Sequence, residues 1–212
     1  MSIEIAEGAT MRIRFDGGKC IHARNCVLGQ PGVFKANVVG PWIDPDAASP
    51  DELLAVAERC PSGAIVVERM DGTPTEQPSG RGVVAVWENG PYAVRGDLRV
   101  AGVEARRATL CRCGASRNKP YCDGSHVAAG FQATGEFPPP ESLPAWDEPG
   151  LLVIEPQRDG PLKVAGAHEV TCGTGKAVRR GAVAFLCRCG ASASKPFCDG
   201  THRKNGFTAD GA

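Results

Sequence analysis

No charge of either sign predominates in this chain. Lys and Arg number 24 and Asp and Glu 24, which removes the electrostatic case for a nucleic-acid or anionic-membrane partner. Aromatic residues are scarce, at 6% of 212, so a large core has little to be built from. No apolar run approaches the roughly 18 residues of a membrane span. The opening MSIEIAEGATMRIRF carries acidic residues and no apolar h-region, so a secretory signal is not expected. A cytoplasmic chain is the expectation. There is also no G-x-G-x-x-G after a strand, no P-loop and no nucleophile–base set, so nothing marks an enzyme.

What is abundant is glycine (27), proline (17) and cysteine (10). In a reducing compartment ten cysteines point to metal rather than disulfides. Sixteen residues are written nearly twice: CRCGASRNKPYCDGSH from Cys111 to His126 and CRCGASASKPFCDGTH from Cys187 to His202, identical at twelve positions. The repetition extends upstream. VVAVW and LLVIE each precede a Gly-Pro turn (Gly90-Pro91, Gly160-Pro161), a second strand, and a third apolar piece entering the Cys-rich loop. Each copy closes on Gly-Phe, at Phe131 and Phe207. Small units of this kind, about 60 residues each, usually need a metal, a disulfide or a partner.

Five segments follow: a first domain over 1–72, a linker at 73–79, a repeat over 80–135, a proline-rich spacer at 136–149 and the second repeat over 150–212. In the first, MRIRF alternates as a strand. Ser49-Pro50-Asp51-Glu52 is a capping box with proline at the first helical position. It opens a helix whose apolar face is Leu53, Leu54, Val56 and Ala57, followed by Cys60-Pro61 and a strand in AIVVER.

Within each repeat Cys111 and Cys113 (Cys187 and Cys189) suit one metal atom. Cys122 and His126 (Cys198 and His202), four apart and on one face if helical, suit a neighbouring one. Ser116 and Ser192, with backbone N–H groups, are placed to donate hydrogen bonds to sulfur. Three cysteines and a histidine also form a structural zinc set. However, zinc pairs usually have at least two residues between cysteines, and a one-residue gap followed by Cys-x3-His suits a two-iron core better, with histidine replacing cysteine on one iron as in Rieske centres.

The pattern CxCx2Sx3PxCDG(S/T)H resembles the CDGSH iron–sulfur domain of the NEET family. The resemblance implies a 2Fe–2S cluster in each repeat, held by Cys111, Cys113, Cys122 and His126 and by Cys187, Cys189, Cys198 and His202. It also implies a small β-rich α+β fold in which the two CDGSH domains form an intramolecular pseudo-two-fold pair. The histidine is the hinge of its chemistry. Neutral imidazole in place of thiolate favours reduction, and a proton can compete with iron for its nitrogen.

In the first domain CIHARNC sets Cys20 and Cys26 apart, with Cys60-Pro61 distant and Ala23 where a middle cysteine would stand. The segment, with PWIDPDAA and ERCPSGAI, resembles the divergent single-cluster ferredoxin-like α+β domain. Three thiolates fit a 3Fe–4S cluster, or a 4Fe–4S cluster with one iron bound otherwise; a domain that has kept its fold and lost its cluster is the alternative. His22 reads as a surface histidine. Cys172, in an insertion of the second repeat, reads as a packed or idle cysteine; His168 in the same insertion is a pairing partner for it, and neither is assigned a role. Trp42, Trp87 and Trp146 read as packing anchors. The function expected is electron transfer with a soluble redox protein, by a monomer containing an internal pseudo-dimer. The alternatives are cluster donation to an apo-acceptor or redox/pH sensing, and a zinc-stapled interaction module.

Overall fold

Met11 and Ile13 are buried while Arg12 and Arg14 between them are half-exposed, and that period of two builds a strand. The structure is a computed structural model and describes residues 3–71, 73, 75, 80–145 and 150–212. It divides into two compact units, Met1–Gln77 and Pro78–Ala212. Among the described residues no helix is long and apolar enough to cross a membrane.

The first unit is an antiparallel sheet in the order β1 (Ile3–Glu7), β2 (Met11–Asp16), β3 (Ile65–Arg69), with helices α1 (Asn25–Gly29) and α2 (Pro50–Glu58). The capping box is present. Ser49 Oγ accepts the Glu52 backbone N–H at 3.4 Å, and the Glu52 carboxylate accepts the Ser49 N–H at 2.9 Å. Leu53, Val56 and Ala57 of α2 pack against Met11, Ile13, Ile65 and Val67, while Leu54 is only half-buried. Trp42 acts as an anchor: its ring meets Phe15 edge-on at 5.0 Å, and its Nε1–H donates to Glu4 at 2.9 Å. Strand β1 and helix α1 lie outside the elements expected from the sequence.

The second unit holds both repeats on one six-stranded sheet. Its strands are β4 (Gly82–Val86), β5 (Tyr92–Val100), β6 (Val103–Leu110), β7 (Leu152–Pro156), β8 (Leu162–Cys172) and β9 (Ala177–Leu186), with helix α3 at Ser125–Ala128. Each repeat makes its own antiparallel pairs, β4–β5–β6 and β7–β8–β9. The short strands also reach across. β4 lies parallel to the far half of β8, and β7 parallel to the far half of β5. Gly82 and Leu152 are equivalent in the repeat, as are Leu98 and His168; Gly82 faces His168 as Leu152 faces Leu98. The exchange of partner falls at register shifts beside Gly96 (φ +147°) and Gly166 (φ +113°). A Cβ on Gly96 would stand 3.1 Å from Gly82 Cα, so a side chain there would push β4 off.

Both repeats feed one core. Val84, Tyr92, Val94, Leu98 and Leu110 cluster with Leu152, Ile154, Leu162, Val164 and Leu186, all nearly or fully buried. The proline-rich stretch does not begin as a free spacer. Gly135 O accepts the Gly173 N–H at 3.1 Å, the Phe137 N–H points at Cys172 Sγ at 3.3 Å, and the Phe137 ring joins the core. Cys172 is thus a buried, packed thiol; His168, 2% exposed, is not in an insertion as expected but holds the place of Leu98 in β8, with Nδ1 2.8 Å from Gly166 O rather than on Cys172. Trp146 falls outside the described residues.

Candidate metal centres

Strands β6 and β9 each deliver a chain into a loop at its first cysteine, and the loop folds back by the same bonds in both copies. The Cys111 N–H donates to Pro120 O at 2.8 Å, and the Cys122 N–H to Thr109 O at 2.9 Å. The equivalents are Cys187 to Pro196 O (2.9 Å) and Cys198 to Phe185 O (2.8 Å). Three cysteines of each motif are thereby drawn to one end of the strand pair. Asp123 ties the far side, accepting the Arg117 and Ser125 N–H groups at 2.9 and 3.0 Å. Asp199 does the same with Ala193 and Thr201 at 2.7 and 2.9 Å. Burial opposes ionisation of Asp123, but hydrogen bonds from Ser125 and Arg117 outweigh it and hold the carboxyl down to about 2.

The sulfurs gather in pairs. Cys111 and Cys113 Sγ are 3.9 Å apart, Cys187 and Cys189 Sγ 3.8 Å. Two thiolates sharing a tetrahedral metal at about 2.3 Å each stand roughly 3.8 Å apart. In the first motif Cys122 Sγ and His126 Nδ1 are 3.4 Å apart, close to the roughly 3.5 Å expected of a sulfur and an imidazole nitrogen on one metal. The four side chains therefore fit two metal atoms with two ligands each. Among the described residues no three His, Cys, Asp or Glu side chains close on a single ion position. The Cys122–His126 approach is made by an Asp123–Gly124 turn, with Gly124 left-handed (φ +83°), because α3 starts only at Ser125; the helical face expected from the i, i+4 spacing is not what joins them.

The second motif differs at its histidine. His202 Nδ1 lies 2.7 Å from the carbonyl oxygen of Asp159, and Cys198 Sγ accepts the Gly200 N–H at 3.4 Å. Its fit is complete for the Cys187–Cys189 pair, while the imidazole has taken a backbone partner.

Ser116 and Ser192 need correction. Their hydroxyls donate to Tyr121 O and Phe197 O, each at 2.7 Å, and accept the Asn118 and Ser194 N–H groups. With its proton committed to the loop's own backbone, the Ser116 hydroxyl has none for sulfur; the backbone N–H groups of Ser116 and Gly114 are what favour the Cys111 thiolate. Other N–H groups serve the sulfurs, Ala115 to Cys113 and Gly124 to Cys122, each at 3.4 Å. The bond between the paired thiols pushes Cys111 up, burial adding to it, and brings Cys113 down to about 6. Burial pushes Cys122 up to about 11, lowers His126 and raises Cys187. A metal entering the first loop must displace protons from its buried thiols.

Three residues outside the expected set hold the loops. Arg112 and Arg188, the middle residues of the two CRC triplets, are each 1% exposed. Arg112 donates to Trp87 O at 2.8 Å and Thr134 O at 2.5 Å; Arg188 donates to Gly160 O (3.0 Å), Gln157 O (2.6 Å) and Asp210 O (3.0 Å). They put fixed positive charge beneath loops that would hold an anionic centre. Tyr92, fully buried, shares its one hydroxyl proton between Cys187 O (2.9 Å) and Pro196 O (2.8 Å), joining the first repeat to the second loop. The arginine between two cysteines in both copies was the available signal for the first two; for Tyr92 there was none.

In the first unit Cys20, Cys26 and Cys60 line one cavity of about 610 Å³, together with Ala23, Trp42 and Phe15. Burial raises Cys20 and Cys26, and the nearby Cys60 adds to it. His22 (φ +55°) and Arg24 (φ +63°) are left-handed, an alternating backbone of the kind that turns N–H groups into an anion-binding concavity; the His22 N–H meets Cys20 Sγ at 3.4 Å. The His22 side chain is exposed. Three thiols on one cavity, with the His22 N–H on Cys20, fit an iron–sulfur cluster with one iron lacking a cysteine.

Two family models match. One, described as divergent 4Fe-4S mono-cluster, covers residues 6–70, and the other, iron-binding zinc finger CDGSH type, covers 89–127 and 159–203. Among curated proteins and solved structures nothing matches the chain significantly. The paired sulfurs, the twice-built loop and these matches agree: the chain is a tandem CDGSH iron–sulfur-binding protein with an N-terminal domain of the divergent 4Fe-4S mono-cluster family.

Proposed function

We propose that this chain is an electron-transfer protein carrying a 2Fe–2S cluster in each CDGSH loop and a third, 3Fe–4S or 4Fe–4S, cluster at Cys20, Cys26 and Cys60. The observation that carries the reading is the pairing of ligands in the first loop, sulfur with sulfur and sulfur with imidazole, each pair at the separation of two ligands on one atom. Cys111 and Cys113 hold one iron there, Cys122 and His126 the other; Cys187, Cys189, Cys198 and His202 serve the second loop. Such clusters supply a one-electron reservoir. The protein's part is to place that reservoir near the surface, compensate its charge with Arg112 and Arg188, and offer N–H groups to its sulfurs. The equivalent cross-repeat pairings of β4 with β8 and β7 with β5 support an internal pseudo-two-fold pair within one monomer. The partner is a redox protein of the cytoplasm.

A second reading, cluster donation to an apo-acceptor, is favoured at one place. His202 has a carbonyl partner at Asp159, so its imidazole has somewhere to go when it leaves iron.

Anaerobic EPR combined with iron and sulfide analysis tests the proposal by counting and typing the clusters. A colourless protein holding one zinc per loop overturns it. Incubation of the holo-protein with an apo-ferredoxin separates the two readings: fast reversible reduction without transfer supports the carrier, and appearance of the cluster in the acceptor supports the donor.

A further inference from the structure

A cleft of about 740 Å³ opens on the His202 side of the second loop, within the size range of small-molecule sites. Arg158, Asp159, Phe185, Arg203 and Phe207 line it together with Cys198 and His202, two of the iron ligands proposed for the second loop, so part of this volume belongs to the metal site itself. Arg158 and Arg203 are exposed, and among the described residues neither guanidinium has a hydrogen-bond or ion-pair partner. The Asp159 carboxylate, which accepts the Ala209 N–H at 2.8 Å, keeps its charge but has Arg188 near enough to offset part of it. Phe185 turns a side chain 46% exposed toward the cleft, and Phe207, backed by Arg188 at 5.4 Å, supplies a second ring.

The first repeat provides an internal control. At the positions of Arg158, Phe185 and Arg203 it carries Glu88, Thr109 and Val127. Two cations and a ring are thus replaced by an anion, a hydroxyl and a methyl-bearing stub, while the motif itself is kept. Folding the loop cannot require the arginines, because the first loop folds without them. Unpaired guanidiniums around a concave surface with an aromatic wall match an oxyanion attached to a flat ring.

We propose that this cleft is a binding site for a small planar molecule bearing a phosphate or carboxylate, present at the second loop and absent from the first. The ligand places its negative charge between Arg158 and Arg203 and its ring against Phe185, beside His202. The site needs no cluster to exist; that it adjoins a redox centre rests on the ligand role of His202 proposed above.

The test is calorimetric titration of the holo-protein with phenyl phosphate, inorganic phosphate and phenol at one fixed ionic strength, with iron and sulfide counted on the same sample. Phenyl phosphate is expected to saturate one site per chain and to bind more tightly than either fragment. Arg158→Glu and Arg203→Val, which install the first repeat's residues at exposed positions, should each weaken it by about ten-fold, the scale of one charge-assisted hydrogen bond. Phe185→Thr should weaken phenyl phosphate more than inorganic phosphate. Absence of saturation, equal binding of all three probes, or unchanged affinity in the double arginine variant overturns the proposal. Iron-free protein that still binds through the two arginines would keep the cleft and sink the electron-carrier reading; iron-replete protein that does not bind would do the reverse.

Discussion

Gly114 rests against the backbone of Cys189: a Cβ placed on it would stand 2.8 Å from the Cys189 carbonyl oxygen. The relation is reciprocal, since Gly190 meets the backbone of Cys113 in the same way. The residue after the second cysteine of each loop is thus the floor on which the other loop sits. Gly114→Ala should cost about 1–3 kcal/mol more than Gly124→Ala, as overpacking against backbone does. Both positions are left-handed, at φ +82° and +83°, but Gly124 has nothing within 4 Å to strike. Chemical denaturation of the two variants, read beside their iron content, checks this.

Tyr92→Phe should lower stability by about 1 kcal/mol, the net worth of one buried hydrogen bond. Because its hydroxyl supports Cys187 and Pro196, the effect should reach the second loop most. Amide hydrogen exchange around residues 187–198 should quicken more than around residues 111–122, which the hydroxyl reaches only through the Arg112 side chain; equal change in both loops would mean that the ring, not the hydroxyl, matters.

Arg112→Met should cost about 1–3 kcal/mol, chiefly by taking the guanidinium donor from Thr134 O, since the carbonyls of Trp87 and Ala133 keep the Gly90 and Asn89 N–H groups. Arg112→Lys should recover only part of it, since a single ammonium cannot reproduce a planar fork. Denaturation midpoints of the three proteins rank the effect.

How much of this was readable beforehand divides along a physical line. The capping box at Ser49 and Glu52, the strands ending in each Cys-rich loop and the close cysteine pairs at 111/113 and 187/189 are local patterns and stand as expected, whereas His202 is turned to the Asp159 carbonyl by a contact 43 residues away. The parallel pairing of β4 with β8, the seat of Gly114 on Cys189 and the hydroxyl of Tyr92 join residues tens of positions apart, and no local period encodes them. Ser116 and Ser192 depart from the expected role for a related reason. A serine near cysteines looks like a donor to sulfur until the carbonyl five residues on competes for the same proton.

The first unit should show an acid-sensitive step at α2. The Ser49 hydroxyl, then its backbone N–H, holds Glu52 below the usual carboxylate range. A carboxyl depressed in the folded state stabilises above its unfolded pKa of about 4.3 and loses that contribution as pH falls through the lower folded value. Hydrogen exchange of the α2 amides should accelerate across that interval, and Glu52→Gln should flatten the dependence.

Replacing His126 and His202 with cysteine should lower the cluster potentials, since a thiolate adds negative charge where imidazole adds none, and slow bleaching in mild acid. Redox titration and visible absorbance follow both. If the double variant bleaches as fast as wild type, imidazole ligation is not the weak point.

Lending β4 to the far repeat and borrowing β7 in return has a consequence for how such a molecule can be divided. A fragment cut in the proline-rich stretch would present a bare edge along the second half of β5, an invitation to any strand of matching length. Two such fragments could satisfy each other only by meeting in solution, at a rate set by their dilution. Held on one thread, the lenders are always within reach, so the intact chain assembles both metal loops without waiting for an encounter.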